Sequence, residues 1–96
     1  MNMNALLQQA KKMQKEVMES QKKLETTDYK GESQWVTVVI NGAYELKEIK
    51  FKDDVELDDK EMLEDMLLIA FNDAINKIKK DTEAKLGKYS NMMPGF

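Results

Sequence analysis

The stretch that decides the fold is residues 35–51, which read WVTVVINGAYELKEIKF. A β-branched and aromatic run over residues 35–40 precedes Asn41-Gly42, and a second run over residues 44–51 follows it. Asn-Gly between two such runs is the strongest short-range signal of a β-hairpin, because both central residues of a type I′ turn need positive φ angles. The sequence therefore predicts a hairpin with Gly42 in a left-handed conformation.

The return strand of this hairpin does not alternate strictly between apolar and polar residues. Ile49 lies three positions after Leu46, and successive side chains of a strand alternate between faces, so a regular strand cannot place both on one face. We expect either a β-bulge between them or a sheet that is covered on both sides. A further short strand, with Gly31 near its end, is expected before the hairpin over about residues 25–32.

The first segment of the chain is predicted to form a long amphipathic helix. Its apolar positions recur in alternating steps of three and four residues, which is the spacing of a heptad seam. Met and Ala are frequent in this seam, and such side chains suit an adaptable contact better than a tight zipper. The seam consists of Met3, Leu6, Ala10, Met13, Val17, Ser20 and Leu24.

A second helix is predicted over about residues 59–85, with Asp58 as its N-terminal cap and Gly87 closing it. Its apolar residues surround most of the cylinder near residues 66–71, which is more apolar surface than one small sheet can cover. A partner subunit is the simplest cover, so we expect a homodimer. The residues expected in its core and interface are Leu67, Phe71, Ala74, Ile75, Val38 and Ile40.

Composition narrows the chemistry of the chain. It has no His, Cys or Arg, so it lacks the usual tunable acid–base group, an activated thiol and soft metal ligands. The acidic stretch 53–59 lacks the central glycine of a calcium loop, and the Ser residues have no His to activate them. We therefore expect no metal, no cofactor and no enzymatic activity.

Charge is sorted along the chain although the net charge is only −3. Residues 53–73 carry nine acidic residues and a single Lys, whereas Lys predominates in residues 1–25 and 74–96. Without Arg, the bidentate contact to guanine is not possible, but Lys can still neutralise phosphates as a point charge. No apolar run approaches the roughly 20 residues of a membrane span, and no signal-peptide pattern is seen, so a cytoplasmic location is expected.

A set of short motifs occurs in order along nearly the whole chain: LQQAKKMQ at 7–14, GES at 31–33, VTV at 36–38, NGA at 41–43, DKEMLED at 59–65, AFNDA at 70–74 and MPGF at 93–96. Together they make the chain similar to the YbaB/EbfC family of bacterial nucleoid-associated proteins. This resemblance implies an α+β fold with the order α-β-β-β-α, a dimer with projecting helices like tweezers, and weakly sequence-specific binding of double-stranded DNA in the nucleoid. The basic residues of this chain are all Lys, where relatives often also carry Arg.

Under this resemblance the basic residues of both helices become candidates for phosphate contacts. The candidates are Lys11, Lys12, Lys15, Lys22 and Lys23 on the first helix and Lys77, Lys79, Lys80 and Lys85 on the second. The alternative is a protein-interaction dimer or adaptor that uses the Met-rich first helix without binding DNA. Residues 1–88 are expected to form a single domain, and residues 89–96 a mobile C-terminal tail.

Overall fold

The structure is a computed structural model that describes residues 2–89. The elements follow one another as α1 (Met3–Thr26), β1 (Asp28–Glu32), β2 (Val36–Asn41), β3 (Leu46–Phe51), α2 (Lys60–Leu86) and a 3-10 helix (Gly87–Tyr89). The predicted α+β class and the order α-β-β-β-α are confirmed.

The three strands form one antiparallel sheet in the order β1-β2-β3, and α2 packs on one of its faces. The buried side chains of β2, which are Val36, Val38 and Ile40, pack against Ala70, Ala74 and Ile78 of α2. α2 crosses β1 and β2 but hardly contacts β3. The core therefore lies under two of the three strands.

Gly31 allows α2 to lie unusually close to β1. A Cβ atom at this position would be 2.0 Å from the carbonyl oxygen of Ala70 and 2.7 Å from the Cβ atom of Ala74. Both distances are far below van der Waals contact, so even an alanine would force the helix away from the strand. The small residues Gly31, Ala70 and Ala74 together set the distance between helix and sheet.

The hairpin at Asn41-Gly42 is confirmed, but the predicted type I′ turn is wrong. The φ angle of Gly42 lies outside the left-handed region, and Tyr44 has the positive φ of 62° instead. The connection is a three-residue loop closed by hydrogen bonds from the Tyr44 N–H to the Asn41 carbonyl and from the Asn41 N–H to the Glu45 carbonyl. This loop type places its third residue at positive φ.

A glycine is needed at position 42 for a tertiary reason. A Cβ atom there would lie 1.9 Å from the carbonyl oxygen of Leu24, because the end of α1 passes directly over the turn. The Gly42 N–H also donates to the Thr27 carbonyl, just after α1 ends. The sequence identified the right residue, but its role is to admit another segment and not to supply an unusual φ.

The bulge expected in β3 is confirmed. Val39 pairs with Glu48 while Ile40 pairs with Leu46, so Lys47 is the extra residue. The bulge corrects the phase of the strand and puts the side chains of Leu46, Ile49 and Phe51 on the same face as the core. α1 makes only a few contacts with β2, so no helix covers the opposite face within the part of the chain described.

The caps of α2 differ in detail from the prediction. The N-cap is Asp59 and not the predicted Asp58. The Oδ1 atom of Asp59 accepts a hydrogen bond from the Met62 N–H at 3.1 Å. Gly87 is the C-cap as expected, with a helical φ of −57°. Tyr89, which the sequence predicts as the first residue of a mobile tail, is instead buried against α1. The rest of the predicted tail, residues 90–96, lies outside the described residues.

A hydrogen-bonded cluster joins β1 to the C-terminal half of α2. The Tyr29 hydroxyl donates to Asp81 Oδ2 at 2.5 Å, and the same oxygen accepts from Lys85 Nζ at 2.6 Å. Burial, followed by the Asp81 carboxylate, raises the pKa of Tyr29 from 10.0 to about 12. The hydrogen bond from Lys85 and then that from Tyr29 lower the pKa of Asp81.

Replacing Gly31 with Ala should destabilise the protein by about 3 kcal/mol, because the added methyl group overlaps backbone atoms that cannot move independently. The matched control is Gly87→Ala, where the nearest atom is 3.6 Å away and the backbone is already helical. That control should be neutral or stabilising by about 0.5 kcal/mol. Urea unfolding of both variants tests the difference, and equal stabilities would contradict the close approach.

The Tyr29 cluster predicts how stability changes at alkaline pH. The folded state holds the Tyr29 proton more tightly than the unfolded chain, so its contribution is complete below pH 10 and is lost as the pH rises through about 12. The free energies of unfolding of the wild type and of Tyr29→Phe should therefore converge across that range. A stability difference between the two proteins that stays constant from pH 8 to pH 12 would contradict a raised pKa of Tyr29 in the folded state.

Candidate nucleic-acid interface

The five candidate Lys residues of α1 lie on the face opposite its apolar seam. An α-helix turns by about 100° per residue, so Lys11, Lys15 and Lys22 project away from the side that carries Val17 and Leu24. Those two apolar residues are buried against Leu86 and Tyr89 at the end of α2, whereas Lys11, Lys12, Lys15, Lys22 and Lys23 are all exposed. α1 therefore has one apolar contact face and one basic solvent face.

The basic face of α1 is not neutralised by ion pairs. The ion pairs formed within residues 2–89 involve Lys47, Lys52, Lys77 and Lys85, and none of the five Lys residues of α1. Glu16 at the edge of this face accepts a hydrogen bond from the Tyr89 hydroxyl at 3.1 Å. The ammonium groups of α1 thus remain available to an anion.

Two of the four candidates on α2 are engaged in contacts within the fold. Lys77 Nζ donates to the carbonyl of Lys30 at 2.7 Å and lies 3.4 Å from Asp73. The Glu32 N–H donates to Asp73, and this bond, followed by Lys77, lowers the pKa of the carboxyl. These contacts tie α2 to β1.

Lys85 is the second engaged candidate, because it is only about one-third exposed and is bound to Asp81. Lys79 and Lys80 are exposed and take part in no ion pair within residues 2–89. The contribution of α2 to a basic surface is therefore smaller than its sequence indicates.

Lys88, which the sequence did not predict as a phosphate contact, joins the basic surface. It follows Gly87 in the 3-10 helix and shares a shallow hollow with Lys23, Glu16, Glu19 and Ser20. Its Nζ lies 5.0 Å from the centre of the Tyr89 ring, within range of a cation–π contact. Only the packing of Tyr89 on α1 brings Lys88 beside Lys23, so no local sequence pattern could have identified it.

Opposite charges are separated along the length of the molecule, which measures 68 × 19 × 14 Å. The end of α2 packs on α1, while the acidic residues 53–65 surround the start of α2. α2 has 27 residues, so the two ends of this helix are about 40 Å apart. This exceeds the Debye length of about 8 Å at physiological salt, so the acidic end hardly weakens the potential at the basic end.

Other kinds of site find no support in residues 2–89. No group of acidic side chains there is arranged to hold a metal ion. None of the helices described has an apolar segment long enough to cross a membrane.

The residues expected in the core and dimer interface lie in two environments. Val38, Ile40 and Ala74 are buried in the core of the single chain. The side chains of Leu67, Phe71 and Ile75 are only half-buried at the edge of that core.

An uncovered apolar surface lies beside these half-buried residues. We call this surface the β3 face and define it by Leu46, Ile49 and Phe51 of β3, which are 43–47% exposed.

Comparisons with known proteins place these features in a family. The sequence profile of the YbaB/EbfC DNA-binding family matches residues 1–93. A nucleoid-associated protein of Enterococcus faecalis is 43% identical, over 99% of this chain and 94% of its own length. A nucleoid-associated protein of Lactococcus lactis subsp. lactis is 41% identical, over 98% of each chain.

A solved structure has the same fold. The crystal structure of the uncharacterized protein HP0035 from Helicobacter pylori superposes with a TM-score of 0.75 at 26% identity, covering 92% of this chain and 96% of that one. The match of the family profile over nearly the whole chain and the identities of the relatives lead to one conclusion. The chain belongs to the YbaB/EbfC DNA-binding family.

Proposed function

We propose that this protein is a DNA-binding, nucleoid-associated homodimer of the cytoplasm that contacts duplex DNA mainly through phosphates. The observation that carries the proposal is the basic face of α1, with five exposed Lys residues outside the ion pairs of the described chain. Family membership supports DNA as the polyanion. Each phosphate that a Lys neutralises releases counterions, so several weak contacts add up to useful affinity at low salt.

Weak sequence preference follows from the kind of cation. Lys is a flexible point charge, and the chain has no Arg to form a bidentate contact with a guanine edge. Contacts to phosphates set position and affinity but carry no sequence information. DNA would therefore be held by its backbone, with all duplexes bound similarly.

Dimerisation is supported by the β3 face. Leu46, Ile49 and Phe51 share the face of the sheet that α2 covers elsewhere, yet they remain more than 40% exposed. A contiguous apolar surface of this kind is typical of an interface between protein chains. We infer that a second copy packs against it, with the half-buried flank of α2, including Phe71 and Ile75, at the edge of the contact. A dimer would also double the number of basic faces.

The second candidate function is a protein-interaction dimer that does not bind DNA. It is favoured by the apolar residues exposed along α1, where Met3, Leu7 and Met18 are 55–75% exposed. Salt distinguishes the two functions, because phosphate contacts weaken steeply with ionic strength whereas an apolar contact does not.

Replacing Lys11, Lys12 and Lys15 with Gln should weaken binding to every duplex by about tenfold at low salt, since three phosphate contacts per subunit are lost. The slope of log Kd against log salt should fall by about 0.9 for each contact removed. The control replaces Lys30, Lys50 and Lys60 with Gln, which changes the net charge equally on other exposed surfaces. Fluorescence anisotropy at two salt concentrations tests both variants, and equal effects would argue against the basic face of α1.

The dimer interface is tested by Ile49→Glu, which would place an unpaired charge in the contact. Sedimentation should show dimerisation weakened by at least about 100-fold, or about 2.8 kcal/mol. Lys50→Gln is the control, because it changes the net charge by the same amount on the opposite face of the same strand. A folded wild type that sediments as a monomer at micromolar concentration would contradict the homodimer.

A further inference from the structure

The apolar seam of α1 is covered along only half of its length. Val17 and Leu24 are buried by the end of α2, and Met13 packs beside them. Towards the start of the helix the same side of α1 is bare. We call this bare part the distal seam and define it by Met3, Leu6, Leu7 and Ala10, of which Met3 is 75%, Leu6 47% and Leu7 55% exposed.

At the end of its described part, the chain runs in the direction of the distal seam. α1 and the end of α2 are antiparallel, because Asp81 lies near Lys23 whereas the Tyr89 hydroxyl bonds to Glu16, one to two turns closer to the start of α1. Residue 90 therefore comes directly after Tyr89, whose side chain is packed on α1 beside Val17.

The length of the following segment matches the distance to be covered. The seven residues 90–96 can span up to about 23 Å when extended. Val17 and Met3 are fourteen residues apart on α1, which corresponds to about 21 Å along the helix axis. The segment can thus extend over the whole distal seam without any rearrangement of the fold.

The composition of residues 90–96 also suits an apolar helix face. The segment reads SNMMPGF, so three of its seven side chains, Met92, Met93 and Phe96, are large and apolar, and none is charged. Met side chains adapt to irregular surfaces, and the distal seam offers Met and Leu in return. Tethering beside the seam raises the effective concentration of the segment there to the millimolar range, so a weak contact is enough.

We propose that residues 90–96 dock on the distal seam of α1 within the same chain. This contact would stabilise the first three turns of α1, in which residues 3–12 are all exposed among residues 2–89. Without a packed face, the end of a helix opens readily. Lys12 and Lys15 project away from the distal seam, whereas Lys11 lies one turn after Leu7 at its edge. The docked segment would therefore position these residues and leave Lys12 and Lys15 uncovered. That consequence rests on the proposed DNA binding, whereas the docking itself does not.

A paramagnetic label provides the direct test, since the chain has no cysteine of its own. A nitroxide on Met93→Cys should broaden the amide signals of residues 3–10, and a nitroxide on Lys50→Cys, on the outer face of the sheet, should not. Adding Leu6→Ser to the Met93→Cys chain should reduce the broadening. Broadening that is absent from residues 3–10, or that is insensitive to Leu6→Ser, would overturn the proposal.

A mixed sample identifies the chain on which the segment docks. Chains that carry the nitroxide but are not isotope-labelled are mixed with isotope-labelled chains that carry no nitroxide. Any broadening of the observed signals must then come from contacts between chains. We expect little broadening of residues 3–10 in this sample. Strong broadening there would overturn docking within one chain and assign the distal seam to a second copy.

A second variant tests the effect on α1. Replacing Met92, Met93 and Phe96 with Ser should speed amide hydrogen exchange in residues 3–12 by about fivefold, because those turns open more often without their cover. Exchange in β2 should not change. The control, Ser90→Ala with Asn91→Ala, keeps the apolar side chains and should exchange like the wild type. Unchanged exchange in residues 3–12 of the triple variant would contradict the docking.

Discussion

The close packing of α2 on β1 is the constraint on which the rest of the structure depends. Gly31 has no side chain, and Ala70 and Ala74 carry only a methyl group, so helix and strand approach within a distance that no larger residue allows. This approach lets Asp73 accept from the Glu32 N–H and Lys77 donate to the Lys30 carbonyl, and the Tyr29–Asp81–Lys85 cluster extends the contact along α2. The direction of α2 then determines where its end meets α1.

The same packing separates structural Lys residues from available ones. Lys77 and Lys85 are bound to carbonyl and carboxylate groups that hold α2 in place. The Lys residues of α1 project from a helix whose other side makes the tertiary contact, so they remain free of such partners in the described chain. A count of basic residues treats both groups alike, and only their surroundings distinguish a residue that holds the fold from one that can hold a phosphate.

Two apolar surfaces remain because α2 is a single helix on a three-stranded sheet. This helix covers β1 and β2 but leaves the β3 face exposed. Its end packs beside Val17, so the distal seam of α1 also remains exposed in the described chain. The two surfaces lie at different places on the molecule and differ in kind. The β3 face continues the core and suits a second folded chain, whereas the distal seam is a narrow stripe on one helix and suits a short segment.

The sequence by itself determined the element order, the hairpin, the irregularity of β3 and the segregation of charge, because each of these depends on local spacing or composition. The interruption of alternation between Leu46 and Ile49 is visible in the order of residues. It indicates a bulge or a sheet covered on both sides, and the register of the strands shows the bulge. Only the tertiary structure decided why Gly42 is a glycine, which Lys residues are engaged, and that Lys88 lies beside Lys23. These depend on segments far apart in the chain, such as Leu24 above Gly42 or Tyr89 against Glu16, and contacts of this kind are not encoded in local spacing or composition.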